Sequence, residues 1–483
     1  MSIDKNKKRY AFPLRLHLGL ISAFVICFVY WMYLFFSSHM LIKHDALCYY
    51  KLGTMIREHG MKEFFMTGPN REPLYPLMVA SSMRIADYFS INYQQLQKLL
   101  QIFILFISQI IVAFILQKIG VSRFVQSLAV LYMGFSPAIV NSAFSLYSEI
   151  ASFPFVLMII LCAFYSWDAL VKGSQIGRII MLSLLTGFAF ACASFVKAIF
   201  QYVFVMFIIL FICLIFNAYQ KKKKDIILSG IIYPLVCSTL FLAIVLSYRF
   251  VNKIYNGRFD FTNRYDVLLF GNAAKRVDKL NKKLFIAHIL SVPGGGVCRK
   301  FFDEDTCRYP EFHYADIYWS RLLPGLLGHH PTPEDSSKII YLSFCKIMEN
   351  PLQYFFLTGL EAMKMAFWES TQIGFVAYPD LLKRLFDNMI FKNMIRMIVS
   401  LITYIAIIYA FICLYRNRYA LSCSNDSNNA IIIVFFILVI IIPFTLLYSM
   451  YSILARFALP IAPLYIIIIA FFFDRMFKKN IHT

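Results

Sequence analysis

Long apolar runs constrain this chain more than any other feature. They recur from Leu14 to Phe473, and several reach roughly 20 residues, enough to cross a hydrocarbon core of about 30 Å. With no water in that core, every backbone N–H and C=O needs an internal partner, so a helix or a closed barrel is required. A barrel would alternate polar and apolar residues, and these runs do not. The fold expected is an all-α polytopic membrane protein. Composition agrees: 60% of the 483 residues are apolar, 15% are charged, and the mean hydropathy is +0.66.

About ten spans can be read. They are Leu14–Phe36, Gln95–Leu116, Val125–Val140, Ile150–Leu170, Ile179–Val196, Gln201–Ala218, Ile226–Ser247, Met394–Leu414, Ile431–Tyr448 and Ala458–Phe473. The net charge of +21 would suit a nucleic-acid binder. Here the excess sits in "KNKKR", "QKKKK", "RNR" and the closing "KK", each beside a span. Such flanks hold the cytoplasmic side, so no nucleic-acid partner is inferred. An even number of crossings puts both termini in the cytoplasm. The first run is too long for a signal peptide and lacks a small-residue cleavage site, so it is read as retained.

Three stretches then face the exported side: residues 39–94, the turn "SPAIVNSAFSLYSE", and a basic segment over 249–390. The expected organisation is an N-terminal membrane module (1–248), a small exported domain (249–390) and C-terminal spans (391–483). In the exported domain, "NPLQYFFLTGLEAMKMAFWES" reads as an interfacial helix. Phe356, Leu360, Met363 and Phe367 line its apolar face, and Glu361 and Lys364 are neighbours. Cys298 and Cys307 bracket a charged stretch on an exported loop. They could form a disulfide, with Cys345 as a competing partner. Metal ligation fits the pair less well, since no second close pair accompanies it.

The ionisable residues near span ends carry the chemistry. Asp45 opens an amphipathic helix whose apolar face is Tyr49, Leu52 and Ile56. It could be an N-cap, or a carboxylate that takes a proton from a substrate hydroxyl. Arg71 precedes "EPLYP", where proline starts a helix, and a guanidinium beside free amides suits a phosphate; alternatively it is a surface anchor. Glu149 begins the fourth span and Lys197 ends the fifth. Charges at a membrane edge either snorkel or have a partner or a task. Two acids and two bases together would suit an anionic lipid phosphate and an acceptor hydroxyl. His313, His329 and His330 read as solvated loop residues.

"HDALCYY", "REPLYPLMVA", "SPAIVNSAFSLYSE", "GFAFACASFVKAI" and "ARFALPIAPLYIII" occur in this order. The series resembles the GT-C superfamily of integral-membrane glycosyltransferases, in the bacterial branch related to protein O-mannosyltransferases and the aminoarabinose transferase of lipid A. The resemblance covers most of the first 200 residues and the last 30. It implies a GT-C-type inner-membrane enzyme that moves a sugar from a polyprenyl-phosphate donor to a periplasmic glycan, lipid or protein acceptor. Carried over, Asp45 matches the loop aspartate that activates or positions the acceptor, and Arg71 the base that contacts the carrier phosphate. Glu149 matches the second acid and Lys197 the base after the fifth span. Arg456 matches an Arg-Tyr-x-x-Pro pattern. Glu72 and Phe457 depart from the family residues. No second acid adjoins Asp45, so no metal and no cofactor is expected. A lipid-linked glycan polymerase or ligase would lack the Asp45–Arg71 unit. A transporter would place paired charges at mid-membrane.

Overall fold

The computed structural model describes residues 16–68, 71–173, 175–220, 226–262, 265–278, 280–311, 313–369, 375–418, 428–451 and 454–481. The "KNKKR" stretch and nearly all of "QKKKK" lie outside them. Among the described residues, nine helices are long and apolar enough to cross a membrane, or ten if one bent pair counts as a single span. The chain is thus an all-α polytopic membrane protein, and each expected span falls on one of these helices or on the bent pair.

The third span departs from a straight rod. It consists of Arg123–Phe135 and Pro137–Ala143, bent by 53°. Pro137 has no N–H to continue the ladder, so the helix breaks in front of it. Buried Glu369, from the long segment between the seventh and eighth spans, fills the break: its carboxylate accepts from Ser136 Oγ at 2.7 Å, Tyr132 Oη at 2.8 Å and the Ala138 amide at 3.2 Å. The seventh helix also runs further than expected, to Asn256, past the boundary at 248.

The fourth span and the last two form the centre of the bundle. In Glu149–Val171, Asn429–Tyr451 and Ala455–Lys478, 72%, 72% and 78% of the apolar window is buried, against 28% in Leu18–Ser37 and 22% in Met389–Arg416. The rim helices instead expose Val25, Val29, Leu401 and Ile408, as a lipid-facing surface should. Aromatic rings fill the interior, where Phe211 stacks on Tyr233 and Phe436. Gly187 lets two spans close in: a Cβ there would lie 2.6 Å from the Cys237 carbonyl oxygen.

Successive spans alternate in direction, so the described residues of 38–92, 144–148, 197–199 and 257–388, with Leu454, gather at one end of the bundle. The first of these segments is an amphipathic helix, Asp45–Met66, kinked at Gly60, then a second, Leu74–Phe89. Its entry is tied down by strand β1 (His39–Met40), which pairs antiparallel with β2 (Val376–Ala377), His39 opposite Ala377. Buried Lys98 donates to the Phe35 and Ser38 carbonyls, at 2.6 and 2.9 Å, and so caps the first span with a positive charge.

The long segment has a small core of its own around Phe270, Ala274, Leu323 and Ile339. Below it a buried ionic cluster joins it to the bundle. Glu361 accepts from Arg276 at 2.5 Å and lies 3.5 Å from Lys275 Nζ and 3.2 Å from His288 Nε2. Arg276 also donates to the Met450 carbonyl at 3.3 Å. The stretch read as an interfacial helix forms a helix, Pro351–Met363, followed by a 3-10 turn, Lys364–Phe367. It turns Tyr354, Leu357 and Glu361 inward and leaves Phe356 and Met363 exposed, because the buried cations draw Glu361 in.

Candidate functional site

Asp45 is the first residue of its helix, not the cap. His44 precedes it with φ 49°, a left-handed conformation that a non-glycine residue rarely adopts, and makes no side-chain cap bond. The Asp45 carboxylate goes elsewhere. Arg71 Nη2 donates to Oδ1 and Arg456 Nη2 to Oδ2. Burial would raise the Asp45 pKa, but the charges of Arg71, Arg456 and Lys197 outweigh it and hold the group at about 2. Asp45 is an anion bridging two guanidiniums.

Arg71 is itself positioned by its neighbours. Its guanidinium lies over the Tyr49 ring, 5.4 Å from the centroid. Glu72, the departure from the family pattern, accepts from the Ala198 amide at 2.9 Å and so joins the first loop to the turn after Lys197. The "PLYP" stretch places Tyr75 in a buried amide network. Tyr75 Oη donates to Gln101 Oε1 at 2.5 Å, and Gln101 Nε2 donates to the carbonyls of Ala143 and Ser145, at 2.6 and 3.0 Å. Those two carbonyls belong to the turn that leads into Glu149.

Glu149 and Lys197 pair at 3.2 Å, both buried. Burial works against the Lys197 charge, but Glu149 overrides it and raises the pKa. The second oxygen of Glu149, Oε2, is buried without a hydrogen-bond partner among the described residues, as is Ser142 Oγ. Both residues line a small, open recess, together with Asn141, Tyr147, Phe375 and Arg456. Tyr147 Oη accepts from Arg456 Nη1 at 3.4 Å, and Tyr49 Oη shares a hydrogen bond with Ser148 Oγ at 2.8 Å. Arg456 lies between the rings of Tyr147 and Phe457, 5.4 and 5.6 Å from their centroids.

The structure therefore brings Asp45, Arg71, Glu149, Lys197 and Arg456 into one site at the loop end of the bundle. Glu72 completes it, giving three carboxylates against three cations. A balanced set of this kind holds its geometry and can exchange partners when a charged ligand enters. The sequence reading did not assign Glu72, Tyr147 or Gln101. The available signal was a glutamine pair four residues apart, Gln97 and Gln101, inside an apolar span.

The remaining candidates lie apart from this site. Cys298 and Cys307 are joined in a disulfide between two short helices of the long segment, and Cys345 is a free, exposed thiol. His329 and His313 are largely exposed. Among the described residues, no group of three His, Cys, Asp or Glu side chains is placed to hold a metal ion. No family model, no curated protein and no solved structure matches this chain.

Proposed function

We propose that the chain is a GT-C-type membrane glycosyltransferase, moving a sugar from a polyprenyl-phosphate carrier to a hydroxyl of a cell-envelope acceptor. In this reading the loop end of the bundle faces the periplasm of a bacterial inner membrane, with both termini in the cytoplasm. The observation that carries the proposal is Asp45 held between Arg71 and Arg456 beside a recess that contains Glu149.

The geometry suits an exchange of partners. A carboxylate near pKa 2 is a poor base, since base strength falls with pKa. An arriving carrier phosphate competes with Asp45 for Arg71 and with Glu149 for Lys197. Released from one guanidinium, Asp45 regains basicity as the donor binds. The acceptor oxygen then attacks the anomeric carbon, the carbon–oxygen bond to phosphate breaks, and the electron pair leaves on polyprenyl phosphate. Arg71 and Lys197 stabilise that negative charge. The acceptor proton goes to Asp45. Glu149 Oε2 accepts a hydrogen bond from a sugar hydroxyl and orients the donor.

The test uses the purified full chain in lipid nanodiscs with a radiolabelled polyprenyl-phosphate sugar and an envelope lipid extract. Transfer of label to the extract, with release of polyprenyl monophosphate, is expected. With a polyprenyl-pyrophosphate-linked glycan supplied instead as donor, transfer that releases polyprenyl pyrophosphate would indicate a glycan polymerase or ligase. An intact carrier would contradict the proposal.

A further inference from the structure

A second, larger and open cavity shares Arg456 with the Glu149 recess. Its wall combines Gly294, Glu311, His313, Lys364, Arg396 and Arg456. The cations come from three elements: the 3-10 turn after the interfacial helix, the eighth span and the start of the last span. Glu311, the one carboxylate in that wall, is already engaged by Arg299 at 2.6 Å.

Arg396 is the most telling of these. A guanidinium in a spanning helix is expensive to place without a counter-charge. Arg396 donates from Nη2 to Asn393 Oδ1 at 3.1 Å, while its Nε is buried without a partner among the described residues. The "PGGG" turn is shaped around it. Gly294 has φ 134°, and a Cβ there would lie 2.8 Å from both terminal nitrogens of Arg396. Only glycine leaves that guanidinium in place. Buried Lys364 donates to the Pro310 carbonyl at 3.1 Å, which uses one of its three N–H groups. The two cavities meet at Arg456, the residue that also holds Asp45.

We propose that this cavity binds an anionic sugar of the acceptor, its phosphate or carboxylate seated on Arg396, Lys364 and Arg456. The inference rests on the transferase reading and narrows it: the acceptor is an acidic glycan or glycolipid that approaches Asp45 from the Arg456 side. An oxyacid group supplies a counter-charge that no described carboxylate gives Arg396 in an ion pair. Its sugar ring lies against the glycine turn, and the next hydroxyl points towards Asp45.

The experiment titrates the full chain in nanodiscs with glucose 6-phosphate, glucuronate and uncharged glucose, read by calorimetry. At least one charged sugar is expected to bind more tightly than glucose, and which one identifies the acid. Charge-assisted hydrogen bonds are worth about 1.5–3 kcal/mol, so R396Q should weaken that binding by about tenfold or more. E311Q removes the opposing carboxylate and should tighten it several-fold, a gain that a misfolded variant cannot give. Equal binding of glucose and both charged sugars, or wild-type affinity in R396Q, would overturn the proposal. Polyprenyl phosphate titrated separately reads the transferase proposal: its failure with sugar-acid binding intact rejects that reading alone.

Discussion

Asp45 and Arg456 lie 411 positions apart in the chain and share an ion pair at the loop end of the bundle. One comes from the first loop and the other from the first turn of the last span. The site is therefore complete only when the first and last segments have packed around the same centre. Arg71 holds the other carboxylate oxygen, so neither guanidinium can move without changing Asp45.

Kinetics in acid test that arrangement. The folded pKa of Asp45 lies below its ordinary value of 3.8, at about 2. Its contribution to stability is present above pH 4 and is lost as the pH falls through about 2. If the chain transfers sugar as proposed, the acid limb of its kcat/KM should therefore lack an Asp45 component above pH 4. Arg71→Gln removes one positive neighbour and should shift that limb upward, with a loss of about 10²-fold or more in turnover. A pH profile unchanged in Arg71→Gln would separate Arg71 from Asp45 in function.

The Lys197–Glu149 pair predicts a non-additive double variant. Lys197→Met leaves a buried carboxylate unpaired and should cost about 3–5 kcal/mol. Adding Glu149→Gln should recover most of that stability and none of the transfer activity. Thermal unfolding in detergent and the label-transfer assay, run on the same samples, separate the two effects.

The Glu361 cluster should make the long segment between the seventh and eighth spans acid-sensitive. Burial, opposed by its contacts to Glu361, pushes His288 down to about 4. The unfolded chain binds a proton on His288 below about pH 6.5 that the folded chain refuses, so stability falls as the pH drops from 6.5 towards 4. Burial alone would raise Glu361, but Arg276, Lys275 and Lys364 hold it well below its ordinary value, which adds a further loss below about pH 4.5. His288→Leu should flatten the upper part of this slope. Hydrogen exchange over 265–290 across that pH range reads it directly.

The disulfide predicts a compartment. Closing the short loop between Cys298 and Cys307 should stabilise that end of the segment by about 2–3 kcal/mol. In cells, both thiols should resist maleimide until a reductant is added, while exposed Cys345 reacts with a membrane-impermeant maleimide added outside the inner membrane. Labelling of Cys345 only after that membrane is permeabilised would reverse the proposed topology.

Most of the architecture was legible because apolar runs of span length have few alternatives in lipid. The bend at Ser136 was less legible: Pro137 marks a break, but the Glu369 that fills it comes from 233 residues away. The same limit applies to the site. Asp45, Arg71, Glu149, Lys197 and Arg456 could be singled out as charges at span ends. Which cation meets which acid depends on how the helices pack, and residue spacing does not record that. The sequence reading left Asp45 open between cap and reactive group. Two arginines on its carboxylate decide against the cap. Tyr75 and Gln101 escaped notice because buried amide networks look like ordinary polar substitutions until both ends are seen.

The central claim is that Asp45 serves sugar transfer to the cell envelope. Its most direct test is mass spectrometry of envelope glycans from a deletion strain carrying either the wild-type chain or Asp45→Asn at matched membrane levels. The account predicts that the deletion loses a sugar substituent, that wild type restores it, and that Asp45→Asn restores about 1% of it or less. Unchanged glycans in the deletion strain, or full restoration by Asp45→Asn, would contradict it.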